Sequence, residues 1–270
     1  MVIHQPTTLL PSITIFGTII SLFLAFKTNE SYNRWWEARI LWGSMVNYSR
    51  SFSRQILNLV TPEIGTTAQT NEELTAIQKE LIYRHLGYIN ALRIALRNQN
   101  SWEELDRFLG SDERKQITRY ANIPTQLVNL QANRLKSLFN NTKNDFRYMQ
   151  IDGTLNEFYN IQGGCERIKN TVFPRAYSYL TTVFTWLFAF SLIFSLYDEL
   201  NWEILIMRVL VAYVFLTLEK ISRGLKDPFE NKVSDIPMTA ICRTIEIDLR
   251  EMLGEEDLPP PLKPDKGVLY

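Results

Sequence analysis

Residues 5–26 carry no formally charged side chain, residues 176–197 carry none, and residues 204–218 carry only Arg208, while the long stretch between the first two runs is polar and heavily charged. A hydrocarbon core of about 30 Å is crossed by roughly 20 apolar helical residues rising 1.5 Å each. Inside lipid every backbone donor and acceptor has to be satisfied within the segment, so such runs are expected to be helices. The pattern predicts membrane helices over 6–26 and 176–197. The acidic link Asp198–Glu203 is expected to join the second to a shorter third run, 204–218, in a helical hairpin.

Averages conceal this division. Lys+Arg 29 against Asp+Glu 29 and 21% charged residues are ordinary for a soluble globular protein, and the mean hydropathy of −0.13 points the same way. The zero net charge also argues against nucleic acid as a partner, because phosphate neutralisation needs a clustered basic excess.

The first run ends at Phe26 and is followed by Lys27 and by Asn33-Arg34-Trp35-Trp36-Glu37-Ala38-Arg39. Tryptophan has an apolar body and one N–H donor, which suits it to headgroup depth. A signal peptide is the competing reading of the first run. Against it, the basic cluster follows the run, and Leu22–Phe26 offers no small-residue cleavage pattern. Basic residues follow runs one and three and precede run two, and the link between runs two and three is acidic. By the positive-inside rule, the region 27–175 and the tail 219–270 are cytoplasmic, in a protein of the cell (inner or plasma) membrane with lipid as its medium. Arg208 stands within about a turn of the acidic link. It is read either as snorkelling toward that link or as a functional charge in a pore.

Between Glu37 and Arg175 apolar residues recur at three- and four-residue intervals, and strand signals are nearly absent. The first run is expected to continue as one helix to about residue 60. Further helices are expected at 72–97, 101–108, 111–120 with Ser111 as cap, 124–140 and 145–162, and an amphipathic helix at 237–253 stopped by Pro259-Pro260-Pro261. Gly163-Gly164 with Pro174 reads as a hinge into the second membrane run. The fold class is therefore all-α, membrane helices continuing into a cytosolic helical bundle.

Catalytic chemistry leaves no constellation. His4 and His85 lack metal-type partners, Cys165 and Cys242 have no zinc or redox spacing, and Gly163-Gly164 is followed by Cys165-Glu166-Arg167 where a phosphate loop would need Lys and Ser or Thr. No enzyme activity, cofactor or metal site is expected.

The residues Phe26-Lys27, Asn29 and Asn33-Arg34-Trp35-Trp36-Glu37-Ala38-Arg39 with Trp42-Gly43, together with Asp227-Pro228-Phe229 and Asp235-Ile236-Pro237 beyond the third run, resemble the bacterial bestrophins over nearly the whole chain. The resemblance implies a single bestrophin-like domain over 1–270 that assembles as a homo-pentamer around one central pore conducting small monovalent ions. Chloride or other anions are the family's general label, and some bacterial relatives conduct cations. It also implies that this chain lacks the family's first membrane helix, so that 6–26 matches the second, pore-lining one. Counting back from Arg34 by the family's spacing places the hydrophobic neck on Phe26, Leu22 and Thr18, with Thr18 where an aliphatic residue would be usual. The cytosolic aperture falls on Phe173. The Arg34, Trp35, Trp36, Glu37 motif and Asp227, Pro228, Phe229 are implied to be structural. Calcium gating is not implied, since residues 230–235 hold too few carboxylates for a cation needing six to eight oxygens. Glu230 stands where the family's turn has glycine. Two alternatives remain at this point: Leu22 and Phe26 could face lipid, and the chain could be a membrane-anchored helical scaffold without a pore.

Overall fold

The computed structural model describes residues 9–61, 71–140, 145–171, 174–194, 202–264, 267 and 269, with side chains from Ile13 onward. Phe173 and most of the link Asp198–Glu203 lie outside the described residues, as does most of the loop after residue 61. Every regular element among the described residues is helical: α1 (Leu9–Leu59), α2 (Asn71–Leu96), a 3-10 turn (Trp102–Arg107), α3 (Ser111–Ile117), α4 (Ile123–Phe139), α5 (Asp145–Asn170), α6 (Arg175–Phe194), α7 (Trp202–Leu225) and α8 (Met238–Met252). The chain divides into two compact units, Met1–Glu37 with Thr171–Pro228, and Ala38–Asn170 with Phe229–Tyr270. Helix α1 contributes residues to both.

In the first unit the helices α1, α6 and α7 pack through a narrow seam and leave most of their large apolar side chains uncovered. Gly17, Ile20, Leu24, Lys27 and Ser31 are the buried positions of α1 among the described residues of this unit. They alternate three and four residues apart, which keeps one stripe of a helix toward its neighbours. Phe16 meets Phe184 and Phe188 edge-on at 6.4 and 6.2 Å, and Phe188 meets Phe215 at 4.8 Å. The outer surface carries Trp186, Leu187, Phe190, Ile206, Met207, Leu210 and Tyr213, all exposed. A helical unit this apolar on its outside is suited to hydrocarbon rather than water. Among the described residues two helices, Ile13–Leu59 and Arg175–Ile193, contain a stretch long and apolar enough to cross a membrane. Helix α7 falls short of that measure because Glu203, Arg208 and Glu219 interrupt it. Arg208 is half-buried and lines the same small space as Glu203, Met207 and Leu192, on the acidic-link side of α7.

The second unit is an ordinary close-packed helical core. Trp42, Met45, Phe52 and Ile56 of α1 are fully buried against Leu81, Leu86 and Ile89 of α2 and Phe158 of α5. Gln78 donates to the carbonyls of Leu57 and Val60 at 3.3 and 3.2 Å, satisfying acceptors that the end of α1 leaves without helical partners. Asn122 caps α4, accepting from the Thr125 N–H at 3.1 Å, and Pro124 follows in the first turn where its missing N–H costs nothing.

His85 sits at the centre of this unit, between the rings of Phe52 and Phe158 at 5.1 and 4.4 Å. The Ser49 hydroxyl donates to the Met45 carbonyl at 2.6 Å, so its oxygen accepts from His85 Nε2 at 2.8 Å. Burial pushes the imidazole pKa from 6.5 down to about 3. Between those two values the unfolded chain holds one more proton here than the folded chain, so stability falls as the pH drops through that window. His85→Gln is expected to flatten this acid limb. Melting temperatures of the two proteins, compared between pH 7.5 and pH 4, check it. The wild type should lose about 1–3 kcal/mol more than the variant over that interval.

Three expectations need correction. Helix α3 does not use Ser111 as its cap; Gly110 holds that position in extended conformation, without a side-chain bond, and Asp112 and Glu113 supply the favourable charge in the first turn. The helix 237–253 is not stopped by the proline run. Gly254, at φ +77°, ends it after Met252, its N–H bonding the Glu251 carbonyl and that of Glu255 bonding the Arg250 carbonyl. Finally, Gly163-Gly164 is no hinge, because α5 runs through both to Asn170. A Cβ on Gly164 would come within 2.9 and 3.0 Å of the Leu41 methyls, whereas one on Gly163 would meet nothing within 4 Å. The second glycine is thus a contact between α5 and α1. Gly163→Ala is expected to stabilise by about 0.5–1 kcal/mol through helix propensity. Gly164→Ala should lose more than that gain, since overpacking costs about 1–3 kcal/mol. Chemical or thermal unfolding of the two variants separates packing from hinging, for a hinge would make both harmful.

Candidate functional site: the first helix and the segment that follows it

Thr18, Leu22 and Phe26 lie on one stripe of α1, spaced by four, on positions that the seam to α6 and α7 leaves free. Leu22 is 57% and Phe26 61% exposed, and Thr18 is exposed as well. Their neighbours on the other side of the helix, Ile20, Leu24 and Lys27, are buried at 1–2%. The Thr18 hydroxyl donates to the Thr14 carbonyl at 2.9 Å, a back-bond that occupies its proton within the helix and leaves the oxygen lone pairs outward. The three residues expected to form the neck thus share one exposed face of α1.

Arg34 holds two chain ends in the first unit. Its Nε donates to the Lys226 carbonyl at 3.2 Å, just past the end of α7, and its Nη1 to the Thr171 carbonyl at 3.1 Å. Cationic donors at helix C-termini satisfy carbonyls the helix cannot and meet the negative end of its dipole. Trp35, Trp36 and Tyr32 form a stack with ring centroids 6.1–6.3 Å apart, Trp36 half exposed, and Glu37 is half-buried beside them.

Asp227 is half-buried and Pro228 buried at the end of the first unit; Phe229 is buried in the core of the second. The turn that the family's glycine would make is made here one residue later. Glu230 is followed by Asn231 at φ +65°, and asparagine tolerates the left-handed region better than other side chains. Asp235 Oδ2 then accepts from the Lys232 N–H at 3.0 Å. Burial raises the Asp235 pKa against the opposing Lys232 and Glu230 backbone bonds.

One group of residues escaped the sequence reading. Lys27, counted there as a topology marker and as part of the motif after Phe26, is 2% exposed and pairs with Glu219 at 3.2 Å. Its Nζ also lies 3.4 Å from Thr182 Oγ1 and 3.5 Å from the Ser178 carbonyl, while Thr182 and Arg223 donate to Glu219 at 2.7 and 2.8 Å. Ser31 and Ser222 hydrogen-bond at 3.2 Å one turn further along. A polar lock thus joins α1, α6 and α7. The signal was available: Lys27 and Glu219 are the opposite charges that immediately follow runs one and three.

No group of three or more His, Cys, Asp or Glu capable of holding a metal occurs among the described residues. Both cysteines are buried and neither forms a disulfide.

Residues 2–251 match the family model described as Bacterial/Fungal Bestrophin protein. The voltage-dependent anion channel-forming protein YneE of Salmonella typhi is 31% identical over 254 residues, covering 94% of this chain and 80% of that protein. A protein of the same description from Mesorhizobium japonicum is 30% identical, covering 96% of this chain and 80% of its own. Among solved structures, a bacterial bestrophin homologue from Klebsiella pneumoniae superposes with a TM-score of 0.83 at 28% identity, covering 91% of this chain and 88% of that one. With the helical architecture, the Arg-Trp-Trp segment and the Asp-Pro-Phe turn all in place, the chain belongs to the bacterial and fungal bestrophin family.

Proposed function

We propose that this protein is the pore-forming subunit of a multi-pass, homo-oligomeric membrane channel for small anions, a pentamer in its working form, with no enzymatic step. The reading rests on relatives described as voltage-dependent anion channel-forming proteins. Within the chain, the observation that carries it is the uncovered stripe Thr18, Leu22, Phe26 on a helix whose opposite side is fully packed. Repeated around an axis, residues at i, i+4 and i+8 make stacked rings, and narrow apolar rings hold water poorly, so they can gate by dewetting. The lone pairs of Thr18 make the outer ring the most easily wetted. Phe173 would supply a second, aromatic constriction on the same axis. The basic residues that flank the spans put residues 27–175 and the tail in the cytoplasm.

Apolar rings do not select the sign of an ion, so selectivity is the decisive measurement. Purified protein in planar bilayers under a NaCl gradient is expected to reverse near the chloride equilibrium potential. Reversal near the sodium potential would make it a cation channel. Stable oligomers of five subunits by native mass measurement, combined with a complete lack of current, would remove the channel reading.

A further inference from the structure

The second unit contains an arginine-lined cavity that the channel reading does not use. Helix α2 supplies Asn90 and Arg93, the 3-10 turn supplies Glu104 and Arg107, and α8 supplies Thr239, Cys242 and Arg243; Arg97, the residue after the end of α2, bonds the lining Thr239. The cavity between them measures about 250 Å³, the liquid volume of about eight waters.

Its charges are out of balance. Arg93, Arg97, Arg107 and Arg243 stand against the carboxylates of Glu104 and Glu246. Arg93 Nη2 pairs with Glu104 at 2.5 Å, and Glu246 is shared by Arg107 at 3.7 Å, Arg243 at 3.3 Å and Arg250 at 3.6 Å. Among the described residues the Arg97 side chain hydrogen-bonds only the neutral Thr239 hydroxyl, which accepts from Nη1 at 2.7 Å, while the Asp235 and Glu104 carboxylates act on it through space. Arg93 is 4% exposed, yet its Nε has no hydrogen-bond partner, and neither do Nε and Nη2 of Arg97. Leaving a buried charged donor unpaired costs more than the roughly 1–3 kcal/mol of a neutral one, so such groups are rarely left that way. Burial and the charge of Arg93 depress the Arg97 pKa. Cys242 does not supply the missing negative charge, because burial outweighs the neighbouring arginines and pushes its thiol up to about 12.

We infer that this cavity is a binding site for a phosphate-type oxyanion, held by Arg93, Arg97 and Arg243 with the Thr239 hydroxyl, which ties α8 to α2 and the 3-10 turn. Planar guanidinium forks match a tetrahedral oxyanion with several acceptor oxygens better than a single halide. The volume admits inorganic phosphate or the phosphate of a small ester and is too small for a whole nucleotide.

The test is binding to the assembled, full-length protein in detergent at pH 7.5, and it does not depend on conduction. Sodium phosphate is titrated against sodium chloride at constant ionic strength, with melting temperature and titration calorimetry as readouts. Phosphate is expected to give a saturable rise that chloride does not. Arg97→Gln and Arg243→Gln should each weaken it about tenfold or more, while Arg119→Gln, a surface charge lost elsewhere, leaves it unchanged. Glycerol phosphate in a parallel arm distinguishes the sources: equal binding means an esterified phosphate is accepted, and loss of binding means the free anion is the ligand. If Arg97→Gln fails to assemble, Arg243→Gln and Thr239→Val decide. The inference is overturned by a phosphate response no greater than that of chloride, as when Asp235 turns to pair with Arg97. It is equally overturned if both cavity variants retain the affinity of the Arg119 control.

Discussion

Glu219→Gln is expected to be the most damaging single substitution in the first unit, lowering stability by about 3–5 kcal/mol, the range for a buried charge deprived of its partner. The change strands the Lys27 ammonium, 2% exposed, among neutral acceptors only, the Ser178 carbonyl at 3.5 Å and Thr182 at 3.4 Å. The reciprocal change is milder. In Lys27→Met, Glu219 keeps two bonds from Arg223, at 2.8 and 3.0 Å, and one from Thr182 at 2.7 Å, so a loss of about 1–3 kcal/mol is expected. The double variant Lys27→Met with Glu219→Met removes both charges, leaving Arg223 free to extend toward solvent. It should recover most of what Glu219→Gln loses, since well-packed apolar replacements of buried pairs are often neutral or better. Thermal unfolding of the detergent-solubilised protein measures all three. Equal losses in the two single variants would mean that the pair is not desolvated, and a double variant as weak as the sum would mean that the cluster matters by packing alone.

Replacing Leu22 and Phe26 together by alanine should produce the largest functional change, a several-fold rise in current at fixed voltage. Two apolar rings would widen, and a wider tube wets more readily. The folded unit should tolerate the change, because both side chains are more than half exposed and neither belongs to the buried seam of α1. Thr18→Leu, which makes the outer ring uniformly apolar, should move the current the other way. Single-channel recordings report both directions. Unchanged currents in both variants, with the oligomer intact, would take these residues off the conduction path and return them to lipid or subunit contacts.

Much of this was legible from the chain. The continuous helix from the first apolar run to Leu59 follows from apolar spacing on both sides of the polar stretch Lys27–Ser31 and from the absence of Pro and paired Gly between Ile13 and Leu59. Counting back from Arg34 picked out Thr18, Leu22 and Phe26 as the expected neck, and all three are exposed positions of α1. The failures have two causes. Ser111 and Pro259–Pro261 lost to the nearby glycines Gly110 and Gly254, local signals that were passed over, whereas Gly163-Gly164 was decided by a distant neighbour. The Gly164 backbone is approached by Leu41 from a helix more than a hundred positions earlier, a contact that no local rule contains.

Charge shows the same division. By itself the sequence determined where the apolar runs lie, that the elements are helical, and which ends carry basic residues, because hydrophobic periodicity and charge placement act over a few turns of one helix. Which charges are solvated and which are buried was decided only by tertiary structure. Lys27 and Glu219 are 192 positions apart, yet they become a desolvated pair. Arg93, Arg97 and Arg243 become an excess of cationic donors around one cavity. The free energy of a charge depends on the dielectric and partners around it, and those are supplied by distant segments that meet only in the folded chain.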